Sequence, residues 1–238
     1  MSRKILILRP QPGADETGRR AREMGLHPVI SPLFEIVPAA WEAPAASSFD
    51  AVLLTSANAA RHGGSGTAPF LGLPCYAVGE ATGGAAREAG FTDVRTGKSD
   101  GEALLRQMIR DGVGHALHLC GTDHVALEMA QGSITRRSVY AAVPATALAP
   151  EALAALRGGA VVLVHSPRAG ALFAALAAQA GVDRAAIGLA AISEAAADAA
   201  GPGWSVKRIA AAPRDEALLE LAVKLCKGEA FGETGSGG

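Results

Sequence analysis

No two cysteines in this sequence stand close enough to form a C-x-x-C pair. Cys75, Cys120 and Cys226 are scattered, so neither a zinc site nor a disulfide framework is indicated, and they read as small buried hydrophobes. Long apolar runs are missing too. The run Ile5 to Leu8, behind the basic Met1-Ser2-Arg3-Lys4, stops at Arg9-Pro10, far short of a signal-peptide core or a membrane span, and a cytoplasmic protein is expected. No charge dominates. With a net charge of −1 and no stripe of Lys and Arg, a nucleic-acid partner is not expected, and a polyanionic ligand must be met locally. The usual catalytic signatures are absent. No G-x-G-x-x-G follows Ile5–Leu8, and Gly97-Lys98-Ser99 lacks the upstream glycine of a P-loop because Thr92 holds that place. Neither an H-x-x-x-H pair nor a G-x-S-x-G elbow occurs, so no metal and no activated nucleophile is expected.

What the 238 residues do contain is a 49% hydrophobic share, enough to bury a core in one large domain or two smaller ones. Short β-type runs alternate with Ala-rich helical stretches, the pattern of parallel βαβ units. Strands are predicted at Lys4–Leu8, His27–Leu33, Ala51–Thr55, Pro74–Val78, Thr92–Arg95, Ala116–Leu119, Ser133–Val143, Ala160–His165, Ile187–Ile192 and Ser205–Ile209. Gly25, Gly90 and Gly181 stand where helix C-caps are needed. Pro38 to Ser48 and Gly63 to Pro69 read as a linker-proximal loop and a surface loop, and Gly232 to Gly238 as a disordered tail.

The chain also repeats itself. Tyr76-Ala-Val-Gly-Glu80-Ala81 answers Ala190-Ala-Ile-Ser-Glu194-Ala195, and Glu102-Ala-Leu-Leu105 answers Glu216-Ala-Leu-Leu219 at the same spacing. Leu54-Thr55-Ser56 answers Val164-His165-Ser166, and Glu23-Met24 answers Glu128-Met129, slightly closer together. Collinear matches of this kind imply two similar α/β lobes. Taken alone, the repeat places a boundary near Gly112–Gly114.

Ligands of parallel α/β sheets bind at the carboxyl ends of strands, and there this sequence gathers small polar residues before helix starts. The junctions are Arg9-Pro10, Thr55-Ser56-Ala57-Asn58, Gly79-Glu80-Ala81-Thr82, Gly121-Thr122-Asp123, Ser166-Pro167-Arg168, Ser193-Glu194 and Pro213-Arg214-Asp215. Each offers helix N-terminal N–H groups and a positive dipole end that favour carboxylate or phosphate. Charge-assisted hydrogen bonds of about 1.5–3 kcal/mol apiece let four to six such contacts hold a polyanion without a basic surface. Simple N-capping accounts for the Ser and Thr at any single junction. Of the six histidines, His118 and His165 fall at strand ends and read as structural.

In this order, Leu54-Thr55-Ser56-x-Asn58-Ala59, Val78-Gly79-x-x-Thr82, Leu119-Cys120-Gly121, Val139-Tyr140, Ser166-Pro167 and Ala210-x-x-Pro213 resemble the uroporphyrinogen-III synthase family from end to end. Ile192-Ser193-Glu194, Trp204 and Glu216-Ala-Leu-Leu219 extend the likeness to bacterial members. The resemblance implies an α/β fold of two similar lobes, each a parallel sheet flanked by helices, joined by a two-stranded β-ladder. Its crossover strands fall around Leu33–Ile36 and Tyr140–Val143, giving one lobe from 1–35 with 143–238 and another from 38–139. The implied substrate is hydroxymethylbilane, an octacarboxylate held in the interlobe cleft. It is closed to uroporphyrinogen III with inversion of ring D and loss of water, by a lyase that needs no cofactor. The implied proton donor is Tyr140, with aromatic packing at the hinge as its other reading. Arg9, Thr55, Ser56, Asn58, Gly79, Thr82, Gly121, Ser166, Arg168 and Ser193 are the implied carboxylate contacts, although Arg9 suits a solvated helix start equally well. Many relatives carry Gly and Thr where this chain has Ser193 and Ala196, so a side-chain contact at Ala196 is lost and Ser193 stands in. The family pattern is a monomer, making at most a transient contact with the enzyme of the preceding step. Two rivals are a two-lobed protein that closes on a small anion and a nucleotide-dependent doubly wound enzyme, the latter opposed by the missing glycine fingerprints.

Overall fold

The computed structural model describes residues 3–97, 101–123 and 127–228; Lys98, Ser99, His124 and the tail 232–238 lie outside the described residues. In chain order the elements are β1 (Lys4–Ile7), α1 (Gly13–Glu23), β2 (His27–Ile30), β3 (Phe34–Pro38), β4 (Ala51–Leu54), α2 (Ala57–His62), β5 (Cys75–Val78), α3 (Glu80–Glu88), β6 (Val94–Gly97), α4 (Gly101–Arg110), β7 (His115–Gly121), β8 (Ser133–Pro144), α5 (Pro150–Arg157), β9 (Val161–Val164), α6 (Pro167–Gln179), β10 (Gly188–Ala191), α7 (Glu194–Ala199), β11 (Val206–Ile209) and α8 (Asp215–Lys227). Contacts divide the chain into two compact units, Met1–Glu35 with Pro144–Gly238 and Ile36–Val143. The division runs through β3 and β8, not through Gly112–Gly114, which lies inside the second unit.

In the first unit β1, β2, β9, β10 and β11 form one parallel sheet in the order β11-β10-β9-β1-β2. Its inner strands β1 and β9 are apolar on both faces over residues 5–7 and Val161–Val164, because helices cover both. Ile5, Ile7, Val161 and Leu163 pack against Ala14 and Ala21 of α1 and Leu218, Leu219 and Leu225 of α8. The outer strand β11, Val-Lys-Arg-Ile, is half-buried to exposed, as an edge allows.

The second unit carries the order β3-β8-β7-β4-β5-β6. Val52 and Leu54 face Phe49, Phe70 and Phe91, while Ala51 and Leu53 face Leu104, Leu105 and Met108 of α4, the alternation expected of a strand buried on both sides. Removing β3 leaves β6-β5-β4-β7-β8, the same order as β11-β10-β9-β1-β2. The repeated sequence pairs map onto that equivalence: Thr55-Ser56 follows β4 as His165-Ser166 follows β9, and Glu102 is the second residue of α4 as Glu216 is of α8. The segment supplying the last two strands comes first along the chain in one unit and last in the other.

The predicted strand His27–Leu33 ends early. β2 stops at Ile30, and after the Ser31 and Leu33 N–H groups bond Ile7 O and Leu8 O the chain starts again as β3, which pairs with β8. β3 then runs antiparallel to β8, with Ala145 N–H on Leu33 O and Ala39 N–H on Val139 O, both 2.9 Å. The expected surface loop Gly63–Pro69 is instead largely 3-10 helix over Gly64–Phe70, pinned by the buried Thr67 and Phe70. Gly25 takes a φ of 76° just past α1, its N–H bonding Arg22 O while Leu26 N–H bonds Ala21 O. Gly90 and Gly181 close α3 and α6 with the same pair of bonds. Cys75 and Cys120 are buried as expected, but Cys226, on α8, is only half-buried. Among the described residues no helix is long and apolar enough to cross a membrane.

Candidate functional site

Each strand order contains one point where the chain leaves adjacent strands in opposite directions, and parallel sheets bind ligands at the carboxyl side of such points. In the second unit that point lies between β4 and β7, and in the first between β1 and β9.

At the β4/β7 point a cavity of about 310 Å³ is lined by Thr55, Ser56, Val78, Gly101, Gly121, Asp123, Leu127 and Tyr140. Sites for small molecules start at roughly this size, about 300–1,000 Å³. Thr55 and Ser56 follow β4 directly, and Ser56 Oγ accepts from Asn58 N–H at 3.2 Å, capping α2. A capping hydroxyl used as an acceptor still has its own proton to donate. Thr55 Oγ1 lies 3.1 Å from Nε2 of His118, a wholly buried β7 residue that fixes the threonine rotamer.

Tyr140 owes its place to a break in the ladder. The β7/β8 register shifts between Cys120 and Gly121, so that Gly121 pairs with Tyr140, and Thr122 N–H then bonds Tyr140 O at 3.0 Å. The phenol lies over Gly121: a Cβ there would stand 2.7 Å from Tyr140 Cζ and 3.0 Å from its hydroxyl. Only glycine admits the ring in this position. The His62 ring sits 6.3 Å away, tilted at 41°.

The β1/β9 point of the first unit is polar and tightly bonded. Asp215, first residue of α8 and only 9% exposed, accepts Thr17 Oγ1–H at 2.9 Å, His165 Nε2–H at 3.0 Å and Arg20 Nη1 at 3.1 Å, with Arg9 Nη1 at 3.4 Å. Burial alone would raise the Asp215 pKa, but the bonds from His165 and Thr17 and the Arg9 charge outweigh it and hold the carboxyl below its ordinary range. Burial also lowers the His165 pKa, which the Asp215 bond only partly restores, so the imidazole is neutral at pH 7. His165 is therefore a fixed donor to Asp215. Ser166 Oγ caps α6 by accepting from Ala169 N–H at 3.2 Å, and the Arg168 guanidinium stacks 4.5 Å above the Phe34 ring.

Of the residues singled out from the sequence, Thr55, Ser56, Gly121 and Tyr140 thus meet in one cavity, while Arg9, Ser166 and Arg168 lie at the strand ends of the first unit. Asn58 contributes its backbone N–H to the Ser56 cap. Gly79, at φ 79°, directs its N–H to Gly97 O at 2.9 Å, and Thr82 is buried within α3, so neither lines the cavity. Ser193 caps the short α7 through Ala196 N–H at 3.3 Å, with the Ala196 side chain fully buried. Sequence reasoning missed Thr17 and Leu127, and placed Asp215 only within the Pro213-Arg214-Asp215 junction without giving its carboxylate a role. An aspartate opening a helix after a strand end was the available signal for Asp215. Among the described residues no three His, Cys, Asp or Glu side chains gather as a metal site.

A family model described as uroporphyrinogen-III synthase HemD matches residues 15–220. Among solved structures, the uroporphyrinogen-III synthetase of Helicobacter pylori superposes with a TM-score of 0.64 at 19% identity, over 94% of this chain and 99% of that one. A mutant uroporphyrinogen III synthase of the extremely thermophilic bacterium Thermus thermophilus gives 0.50 at 17% identity, over 95% and 100%. Both likenesses are of fold. No curated protein matches the sequence.

Proposed function

Matched over most of its length, this chain belongs to the uroporphyrinogen-III synthase family, and from that membership we propose how its strand ends carry the reaction. The protein closes hydroxymethylbilane to uroporphyrinogen III in heme biosynthesis, inverting ring D and releasing water. More finely, it acts as a cofactor-independent lyase. Water loss from a hydroxymethylpyrrole is redox-neutral and is driven by the electrons of the pyrrole itself, so it needs a proton and correct placement more than an electron carrier.

Tyr140 is the proton donor in this reading. Its phenol, beside Thr55 and Ser56 in the cavity, protonates the departing hydroxyl of ring A as the C–O bond breaks, leaving an azafulvene. The substituted carbon of ring D attacks that electrophile to form a spiro intermediate; a ring D bond to its old methylene then breaks, and recombination at the other carbon, with loss of a proton, restores the pyrrole. The observation that carries the assignment is the phenol held over Gly121 in a cavity walled by the Thr55 and Ser56 hydroxyls.

Carboxylates of the substrate are assigned to Thr55, Ser56 and the Asn58 turn in the second unit, and to Arg9, Ser166, Arg168 and Ser193 in the first. Gly79 and Thr82 contribute by shaping the start of α3. The two contact-defined units are taken as the two lobes, the protein as a monomer, and its compartment as the cytoplasm, where the family's biosynthetic role would place it. Supplying enzymatically generated hydroxymethylbilane and separating the uroporphyrinogen isomers tests the reaction. The type III isomer is expected; the spontaneous type I isomer alone would refute it.

A further inference from the structure

The Asp215 carboxylate has four side-chain partners, and they come from three places in the fold. Thr17 and Arg20 reach it from α1, Arg9 from the end of β1, and His165 from the end of β9. Arg20 is itself held by Glu16, and by Glu216 at 3.0 Å. Thr17 and His165 are thereby turned inward, whereas the Arg9 side chain stays 34% exposed.

The Arg9 guanidinium is anchored at one nitrogen only. Nη1 donates to Thr17 Oγ1 at 3.2 Å and to Asp215 Oδ1 at 3.4 Å. Nε and Nη2 have no hydrogen-bond partner among the described residues and lie against Gly13, where a Cβ would stand 2.7 Å from Nε and 2.8 Å from Nη2. An arginine bound at one nitrogen, with no hydrogen-bond partner among the described residues along its other edge, has two parallel N–H groups left for a planar, two-oxygen acceptor. The position is at the carboxyl end of β1, beside the strand-order reversal where this sheet would receive a ligand.

We propose that Asp215 is a positioning residue for substrate binding: it locks Arg9 so that the Nε–Nη2 edge receives one carboxylate of hydroxymethylbilane. The inference rests on the reading that Arg9 contacts substrate. Thr17 and His165 complete the lock, each donating a hydrogen bond to the Asp215 carboxylate and so holding it in place against Arg9.

Steady-state kinetics on hydroxymethylbilane for Arg9→Ala, Asp215→Asn, Gly13→Ala and the Arg9→Ala/Asp215→Asn pair test it. Each single change is expected to raise KM by about tenfold or more, as loss of a charge-assisted contact does, with kcat within about twofold. The pair should be no worse than Arg9→Ala alone, because both act through one contact. Gly13→Ala decides the matter should Asp215→Asn fail to fold, since alanine favours helix and disturbs only the tip of Arg9. Wild-type KM in folded Asp215→Asn or Gly13→Ala, against a raised KM in Arg9→Ala, would overturn the positioning role. Additive effects in the pair would overturn it as well. Unchanged KM in Arg9→Ala would instead remove Arg9 from the substrate site and the proposal with it.

Discussion

Replacing Gly121 by alanine should displace Tyr140, the proposed proton donor, without changing its own side chain. The new Cβ would lie 2.7 Å from Tyr140 Cζ and 2.8 Å from Cε2, whereas ordinary contact begins near 3.4 Å, so the phenol must retreat by at least about 0.7 Å. The backbone leaves little else to give: Thr122 N–H holds Tyr140 O, and the register shift fixes the strand. Ring rotation is the cheap response and should limit the stability loss to about 1–3 kcal/mol, the usual cost of an overpacked methyl. Catalysis should suffer more. Misplacement of a reacting group by about 1 Å costs on the order of 10²-fold, so kcat for uroporphyrinogen III should fall by roughly 10–10²-fold while the protein remains folded. Single-turnover formation of product, followed by isomer separation and paired with a thermal melt, measures both. A folded Gly121→Ala protein with wild-type kcat would refute the idea that Gly121 sets the phenol in its working place.

Acid should weaken the first unit. His165 is buried neutral with a lowered pKa, so below about pH 6.5 the unfolded chain takes up a proton that the folded chain refuses, and stability falls by up to about 1.4 kcal/mol per pH unit. Asp215, whose pKa is also lowered, adds a further loss once the pH drops below its ordinary carboxylate range near 3.8. Urea midpoints at about pH 7.5 and about pH 5.5 check the first effect, and equal midpoints would count against it. Ser166→Ala should cost about 0.5–2 kcal/mol by removing the α6 cap, and lower the melting temperature by a few degrees; an unchanged melt would mean the Ala169 N–H finds another acceptor.

Sequence pattern carried the parallel strands well, because β4 and β9 are buried on both faces and must be apolar throughout. The repeats carried the shared strand order for a related reason: Ser56 and Ser166 occupy equivalent strand ends, where both units need a cap before a helix. What the pattern could not carry was pairing across long separations. The break after Ile30 follows from which strand β3 joins, and β3 joins β8, about a hundred residues away along the chain. The Asp215 cluster was hidden likewise. Thr17 and Asp215 lie 198 residues apart, and nothing local to either announces the other. Of the site, the Thr55-Ser56 turn and Tyr140 were legible as motif residues, but the bulge that sets Tyr140 over Gly121 depends on the β7/β8 register.

Whether the Tyr140 hydroxyl supplies the proton for ring closure is tested most directly by Tyr140→Phe. The phenylalanine keeps the ring over Gly121 and removes one oxygen. Turnover of hydroxymethylbilane should fall by about 10²-fold, the lower end of general-acid effects, while binding of uroporphyrinogen III stays near that of the unaltered protein. Unchanged turnover in a folded Tyr140→Phe protein would contradict the account.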